Sequence, residues 1–376
     1  MAAVGNFLFF TNLSAFFLLP LHLKQLGATD GQLGLVMGLY SATAIFVQPV
    51  IGAWVDRMGR RPFMLGGAAL AALAALLFAL APRALLLFPL LRILQGLAYS
   101  MFFIANFAVI VDLVPADRRG QAFGIFGISG LTSTAVGPAL GEMVVRAYGF
   151  PVFFAVVAGI GVAALVVAAR LDAPPGRRAA GREGLAGLVQ GILTAPRLPM
   201  ALAFSFGLGL GVVFTFLPTY AAELGVGRIG LFTLAYAAGA LLVRTTGSQL
   251  IDRAGRRTVI IPALGLQALG GLLLAAVGPL AGRGVPPVPL LAVTGLLAGA
   301  AHGFLYPALT ALVMDVTPED RRGRMIGVFS AFTLAGSALG AMTFGHLAHG
   351  LGYPAMFAVL TVCLGGACGL AFRLER

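Results

Sequence analysis

The sequence predicts an all-α polytopic membrane protein, with twelve transmembrane helices in two pseudo-symmetric six-helix bundles and both termini cytoplasmic. Three observations predict it. Apolar residues make up 59% of the 376-residue chain and charged residues 10%, with a mean hydropathy of +0.98. The apolar residues run in stretches near the ~20 that cross a bilayer. Two charged motifs recur in the same order about half a chain apart. A soluble globule carries about 25% charged residues, so this chain has too few to cover a water-facing surface. It is equally too apolar to be disordered.

The spans are expected near residues 4–22, 31–55, 62–81, 85–111, 121–145 and 151–170, then 198–222, 229–250, 258–280, 288–313, 325–346 and 354–372. Proline, glycine and charge clusters mark the breaks, as at Asp56–Pro62 and Pro115–Gly120. The first stretch runs into Pro20, His22 and Lys24 without a small-residue cleavage pattern, so it is expected to be a retained span and not a cleaved signal. The longest polar break, Leu171–Pro196, divides the chain into bundles at 1–171 and 197–376 with a cytoplasmic linker over 172–196. Its latter part, Gly184–Thr194, is mildly amphipathic and suits a membrane surface.

Orientation follows from the basic residues. Eighteen arginines fall in loops on one side and five basic residues, Lys24, Arg83, Arg146, Arg228 and Arg283, on the other. Arg92 and Arg244 lie inside spans and complete the 25. The arginine-rich side holds both termini, which requires an even number of spans. The net charge of +12 does not signal nucleic-acid binding, because the basic residues sit in short clusters between apolar runs. Cys363 and Cys368 share the last span and form no disulfide framework.

The chain repeats itself. GAWVDRMGRR, from Gly52, returns as SQLIDRAGRR from Ser248, an offset of 196 that also aligns Tyr40 with Tyr236. VDLVPADRRGQAFGIF, from Val111, returns as MDVTPEDRRGRMIGVF from Met314, an offset of 203 that aligns Tyr99 with His302. Two six-helix halves are the architecture such a repeat implies.

On these motifs the chain resembles the major facilitator superfamily, in particular its bacterial efflux, drug–proton antiporter type. Arg92-Ile-Leu-Gln95-Gly96 in the fourth span resembles the family's RxxQG motif, and Gly137-Pro138-Ala-Leu-Gly141 in the fifth resembles part of its antiporter motif. Glu142 and Ser133 depart from the latter. The resemblance implies a gating role for Gly52, Asp56, Arg57, Gly59, Arg60 and Arg61, with Arg57 or Arg60 pairing with Asp112. Asp252, Arg253, Gly255, Arg256, Arg257 and Asp315 would form the second copy. Ser248 replaces its first glycine. The alternative is that these charges only fix topology.

Charges inside spans are rare and mark function. Arg92 and Arg244 are cavity candidates, each with snorkelling as the alternative, Arg92 towards Glu142. His302 falls near the middle of the tenth span, one of those lining the cavity in this family, and a histidine there can carry a coupling proton. His346 and His349 read as interfacial. Asn12, Tyr40, Gln95, Tyr99, Asn106, Thr215, Tyr236 and Tyr306 complete the candidate cavity, with Phe102, Phe103 and Phe214 as an apolar wall. Each of these also has an ordinary packing role open to it. The candidate proton carriers are Asp112, Glu142 and His302.

No Asp or Glu sits near the middle of any span, so the interior charge is positive and favours anionic or zwitterionic substrates over cations. No P-loop occurs. Gly207-x-Gly209-x-Gly211 lies inside the seventh span and reads as helix packing, and Gly127-Ile-Ser129-Gly130 misses the nucleophile-elbow spacing. No enzyme activity, cofactor or metal site is expected. The reading is a secondary transporter of the cytoplasmic (inner) membrane, monomeric, that works by alternating access. It would export a small organic metabolite or drug-like compound against protons. An uptake symporter or facilitator for an organic acid or sugar is the alternative, distinguished by the direction of coupled flux. A lipid-handling or receptor-like protein is a third, distinguished by activity without a proton gradient or by binding without turnover.

Overall fold

A computed structural model describes residues 1–114, 118–171, 184–246, 255–318 and 321–374. Among them every regular element is helical. In chain order these are α1 (Ala2–Ala15), a 3-10 turn (Phe16–Leu18), α2 (Leu19–Gln25), α3 (Asp30–Met58), α4 (Arg61–Leu80) and α5 (Phe88–Leu113). Then come α6 (Arg119–Ala169), α7 (Gly184–Thr194), α8 (Arg197–Glu223), α9 (Gly230–Thr246), α10 (Arg256–Ala281), α11 (Pro287–Asp315) and α12 (Arg322–Ala371). Among the described residues, nine helical segments are long and apolar enough to cross a membrane, and α9 is a shorter apolar helix.

Local chemistry explains where they begin and end. The first expected span is interrupted because Pro20 has no N–H and its ring crowds the carbonyl of Phe16; the chain tightens to a 3-10 turn there. Thr29 and Gln32 close a capping box at the start of α3, each backbone N–H bonding to the other's side-chain oxygen at 3.0 and 3.2 Å. At its far end Gly59, at φ +92°, donates its N–H to Val55 and turns the chain, and Pro62 starts α4. Gly255, 196 residues on, has φ +83° just before α10.

α6 and α12 run for 51 and 50 residues. At 1.5 Å per residue each would be ~75 Å long, over twice the hydrocarbon core. Gly149 and Gly352 resolve this. Both are non-helical, at φ +80° and +79°, and each divides its helix into two limbs within a Gly-x-Pro sequence. These two glycines are 203 residues apart, the second repeat offset.

The described chain forms two compact units, Met1–Leu18 with Leu39–Gln190 and Leu19–Gly38 with Gly191–Arg376. In the first, α1 packs on α6, and α4 packs on α5 and α6. Phe9 stacks on Phe102 at 3.9 Å, and Phe16, Phe78 and Phe154 form a second aromatic cluster. A Cβ at Gly137 would sit 2.8 Å from the Thr11 carbonyl oxygen, so the Gly-Pro run of α6 lets the α1 backbone come close. In the second unit α8 packs on α12 and α9 on α11. Gly207 and Gly211 face the α12 backbone at Thr333 and Ser337, while Gly209 makes room for Gln267 of α10. Gly295, Gly299 and Gly303 place successive turns of α11 on the α9 backbone at Phe232, Tyr236 and Ala240.

Gly299→Val is therefore expected to lower stability by about 1–3 kcal/mol through overpacking, read as a lower unfolding temperature in detergent. Gly265→Ala, where an added Cβ meets nothing within 4 Å, should be neutral or stabilising. Equal effects at the two positions would contradict the packing assignment.

Candidate functional site

The turn between α3 and α4 is held by charge. Arg60, buried at the start of α4, reaches Asp112 near the end of α5 at 2.9 Å, with Asp56 3.9 Å away. Of the two arginines open to Asp112, it is Arg60 that pairs. Arg57 is exposed, and Gly52 and Gly59 are buried. Arg61 donates to the carbonyl of Ala169 at 2.9 Å, where a cation complements the C-terminal end of α6. The second copy repeats the bond: Arg256, first residue of α10, meets Asp315, last of α11, at 3.0 Å. Arg257 is half-buried, and Gly255 supplies the turn. Asp252 and Arg253 lie outside the described residues. The copies differ in burial. The side chains of Arg60 and Asp112 are 6% and 20% exposed, those of Arg256 and Asp315 26% and 53%. Screening leaves the second pair the weaker.

The repeat also brings aromatic residues together inside each unit. In the first, Tyr40 of α3 contacts Tyr99 of α5, ring centroids 5.4 Å apart. Arg92, two turns earlier on α5, lies over the Tyr40 ring at 4.8 Å and donates to the Gln95 side-chain oxygen at 2.8 Å. This cation–π and hydrogen-bonded arginine is buried. Glu142, the carboxylate to which Arg92 could have snorkelled, pairs with Arg146 one turn on at 2.8 Å. Phe103 stacks on Tyr99 and extends the wall, and Phe102 is buried against Phe9.

In the second unit the equivalent positions are Tyr236 of α9 and His302 of α11, and they touch as well. The Tyr236 hydroxyl and His302 Nδ1 form a hydrogen bond. Phe206 meets the His302 ring edge-on at 5.2 Å, Tyr306 lies 6.3 Å from it, and Phe214 packs on Tyr236. Arg244, in the last turn of α9, interacts electrostatically with Tyr236, Tyr306 and His302. Tyr236, Gln267 and His302 border a small cavity of about 20 Å³, room for about one water, among α8, α9, α10, α11 and α12. Among the described residues no group of three or more His, Cys, Asp or Glu converges as metal ligands would.

The remaining candidates are placed elsewhere. Asn12 is fully buried and donates to the Val157 carbonyl at 2.7 Å, tying α1 to α6. Asn106 donates to Asn6 at 2.9 Å, and Asn6 donates to Ser129 at 2.7 Å, a polar chain across α5, α1 and α6. Thr215 is buried in α8. Sequence reasoning misses Asn6 and Ser129. Their only signal is a polar side chain on an otherwise apolar span, shared with many serines and threonines that bond to their own helix.

The sequence profile of the Major Facilitator Superfamily matches residues 1–283 and 223–376. The chain belongs to this family, whose members are membrane transporters and not enzymes. It is 29% identical over 357 residues to the multidrug resistance protein MdtG of Citrobacter koseri, covering 91% of this chain and 85% of that one. It is 22% identical over 351 residues to the staphylopine export protein of Staphylococcus aureus, covering 91% and 86%. Its fold matches the crystal structure of a mutant of the nucleoside transporter NupG with a TM-score of 0.77 at 17% identity, over 99% of this chain and 97% of that one. A POT family transporter in complex with a thioalcohol-conjugated peptide matches with a TM-score of 0.76 at 16% identity, over 99% and 93%.

The burial difference between the two charged turns is testable by double-mutant cycles on thermal stability. Arg60→Ala with Asp112→Ala should show a coupling of about 1–3 kcal/mol. Arg256→Ala with Asp315→Ala should show about 0.2–1 kcal/mol. Equal couplings would mean that burial does not set their strength.

Proposed function

We propose that this protein is a proton-coupled exporter of small anionic or zwitterionic organic compounds, drug-like molecules among them. In this reading it works by alternating access in the cytoplasmic membrane as a monomer. Counting each divided helix as two spans and α9 as one gives twelve, with both termini cytoplasmic and bundles at 1–171 and 197–376. Export is supported by two relatives, a multidrug resistance protein and a staphylopine export protein.

The substrate charge rests on one observation. Each unit holds an arginine within a membrane helix beside an aromatic pair at repeat-related positions, Arg92 with Tyr40 and Tyr99, and Arg244 with Tyr236 and His302. A fixed cation in a low-dielectric wall attracts an anionic group and repels a cation, while the rings offer apolar and edge contacts to the remainder. Gln95, Tyr306 and Thr215 are the further substrate-facing candidates in this reading, with Asn12 and Asn106 holding the helices behind them. The charged turns of Asp56, Arg60 and Asp112 and of Arg256 and Asp315 act as gates. Of the three candidate proton carriers, Asp112 is engaged by Arg60 and Glu142 by Arg146. His302, hydrogen-bonded to Tyr236, is the third candidate. A proton on it would change the charge that the substrate meets.

Purified protein in liposomes loaded with a pH-sensitive dye, challenged with anionic, zwitterionic, neutral and cationic compounds, tests the reading. Proton movement opposite to an anionic or zwitterionic ligand is the expected result. Arg92→Gln and Arg244→Gln should each weaken apparent affinity for that ligand about tenfold or more, the loss of a charge-assisted contact of ~1.5–3 kcal/mol. Saturable transport of a permanent cation that survives Arg244→Gln would overturn the charge assignment. Co-directional proton movement would favour the uptake symporter instead.

A further inference from the structure

α7 is inside out for a helix on a water-washed surface. Gly191 is buried, and a Cβ there would meet Val328 at 2.6 Å and the stem of Arg324 at 3.3 Å, both on α12. At ~100° per residue, Ile192, Val189 and Leu193 fall ~100–200° around the helix from Gly191, on the side turned away from α12. They are 42%, 51% and 80% exposed. A helix on a soluble surface points its apolar stripe at the protein and its polar residues outward. Here glycine faces the protein and the large apolar side chains face out, and Gly184–Thr194 carries no charged residue.

The level of α7 follows from its neighbours. α8 and α12 run in parallel register, with Gly207 facing Thr333 and Gly211 facing Ser337, each pair 126 residues apart. That register puts Arg197, first residue of α8, level with Gly323 and one residue from Arg324. Arg197 and Arg321 are exposed, and Arg322 and Arg324 are half-buried. Arginines gathered on the first turns of two spans mark the headgroup level. Gly191 meets α12 at Arg324 and Val328, ~3–9 Å along that helix at 1.5 Å per residue. A helix lying in the interface buries its apolar face ~5–10 Å into the boundary between headgroups and acyl chains. The two depths agree. Ile326, 37% exposed at the same level of α12, continues the apolar surface.

We propose that α7, with Arg197 and Arg324, is a binding site for an anionic phospholipid. The outward side chains of Val189, Ile192 and Leu193 pack among its acyl chains, and the two arginines hold its phosphate. Charge complementarity selects this occupant. The sequence from 172 to 197 sets Arg177, Arg178, Arg182 and Arg197 against Asp172 and Glu183, and that from 319 to 324 sets three arginines against Glu319 and Asp320. Both stretches are net positive. A guanidinium matches a phosphate with paired N–H donors, whereas a zwitterionic headgroup brings its own cation to the arginines. The site lies apart from the aromatic clusters and the charged turns, and it is independent of the transported compound. The proposed topology enters only in naming its leaflet, the cytoplasmic one.

Fluorescence quenching tests the contact and the headgroup together. Trp54, the single tryptophan, is changed to Phe, and Leu193→Trp places the probe on the outward face of α7. The protein is put in nanodiscs of equal parts phosphatidylcholine and phosphatidylglycerol, with bromine, a contact quencher of indole, on the acyl chains of one lipid or the other. The Leu193→Trp protein should be quenched by brominated lipid and shielded from acrylamide in the water. The reverse would overturn the lipid site and point to a protein partner or a second copy. Brominated phosphatidylglycerol should quench about twofold more than brominated phosphatidylcholine. That preference should shrink when salt is raised from about 0.1 M to about 1 M, which shortens the screening length from about 10 to about 3 Å. Arg197→Gln with Arg324→Gln should bring the two lipids level, while Arg197→Lys with Arg324→Lys should keep a preference. Equal quenching by the two lipids with both arginines in place, or a preference indifferent to salt, would overturn the anionic-lipid assignment even where the glutamine variant fails to fold. Nanodiscs expose both faces and no substrate is added, so a failed transport assay leaves this result standing.

Discussion

Helices in a bilayer gain little by turning apolar side chains away from lipid tails that are just as apolar, so this fold depends on backbones brought into contact at glycine. The interfaces that define both units are of this kind. α11 lies on α9 through Gly295, Gly299 and Gly303, α12 on α8 through Gly207, Gly211 and Gly336, and α6 on α1 through Gly137. At such interfaces dispersion and weak Cα–H contacts act at the shortest separation, and the aromatic residues fill the wider gaps between them. The functional candidates are positioned by the same contacts. Tyr236 meets His302 because Gly299, three residues before the histidine, lets α11 rest on the Tyr236 backbone itself.

The repeat carried most of what was legible. Its two offsets, 196 and 203, are recovered in the positive-φ glycines Gly59 and Gly255, in the elbows Gly149 and Gly352, and in the ion pairs Arg60–Asp112 and Arg256–Asp315. Tyr40–Tyr99 and Tyr236–His302 are contacts at equivalent positions. A duplicated motif survives in sequence when its residues must meet one another, so the alignment of two copies is itself information about contact. The glycine-rich run in α8 was likewise readable as packing, because no strand precedes it.

What the sequence did not reveal is which way each polar side chain turns. A helix that is apolar all round offers no stripe from which to read its buried face. Asn12 and Asn106 could not be distinguished from cavity-facing residues by spacing, yet one holds the α6 backbone and the other joins Asn6. The partner of Arg92 was likewise unreadable, since Gln95 one turn on and Glu142 on another helix were equally available in sequence. Asp30 draws no notice in the sequence because an acidic residue at the start of a helix is ordinary near a dipole's positive end. Only its burial beneath Tyr353, 323 residues away, sets it apart.

The elbows at Gly149 and Gly352 also have a mechanical consequence. Each joins two membrane-length limbs with a single non-helical residue and no connecting loop. Such a joint has no slack. The tips of the two limbs beside the elbow cannot part, so whatever spreading these limbs undergo grows with distance from it, as in a pair of tongs.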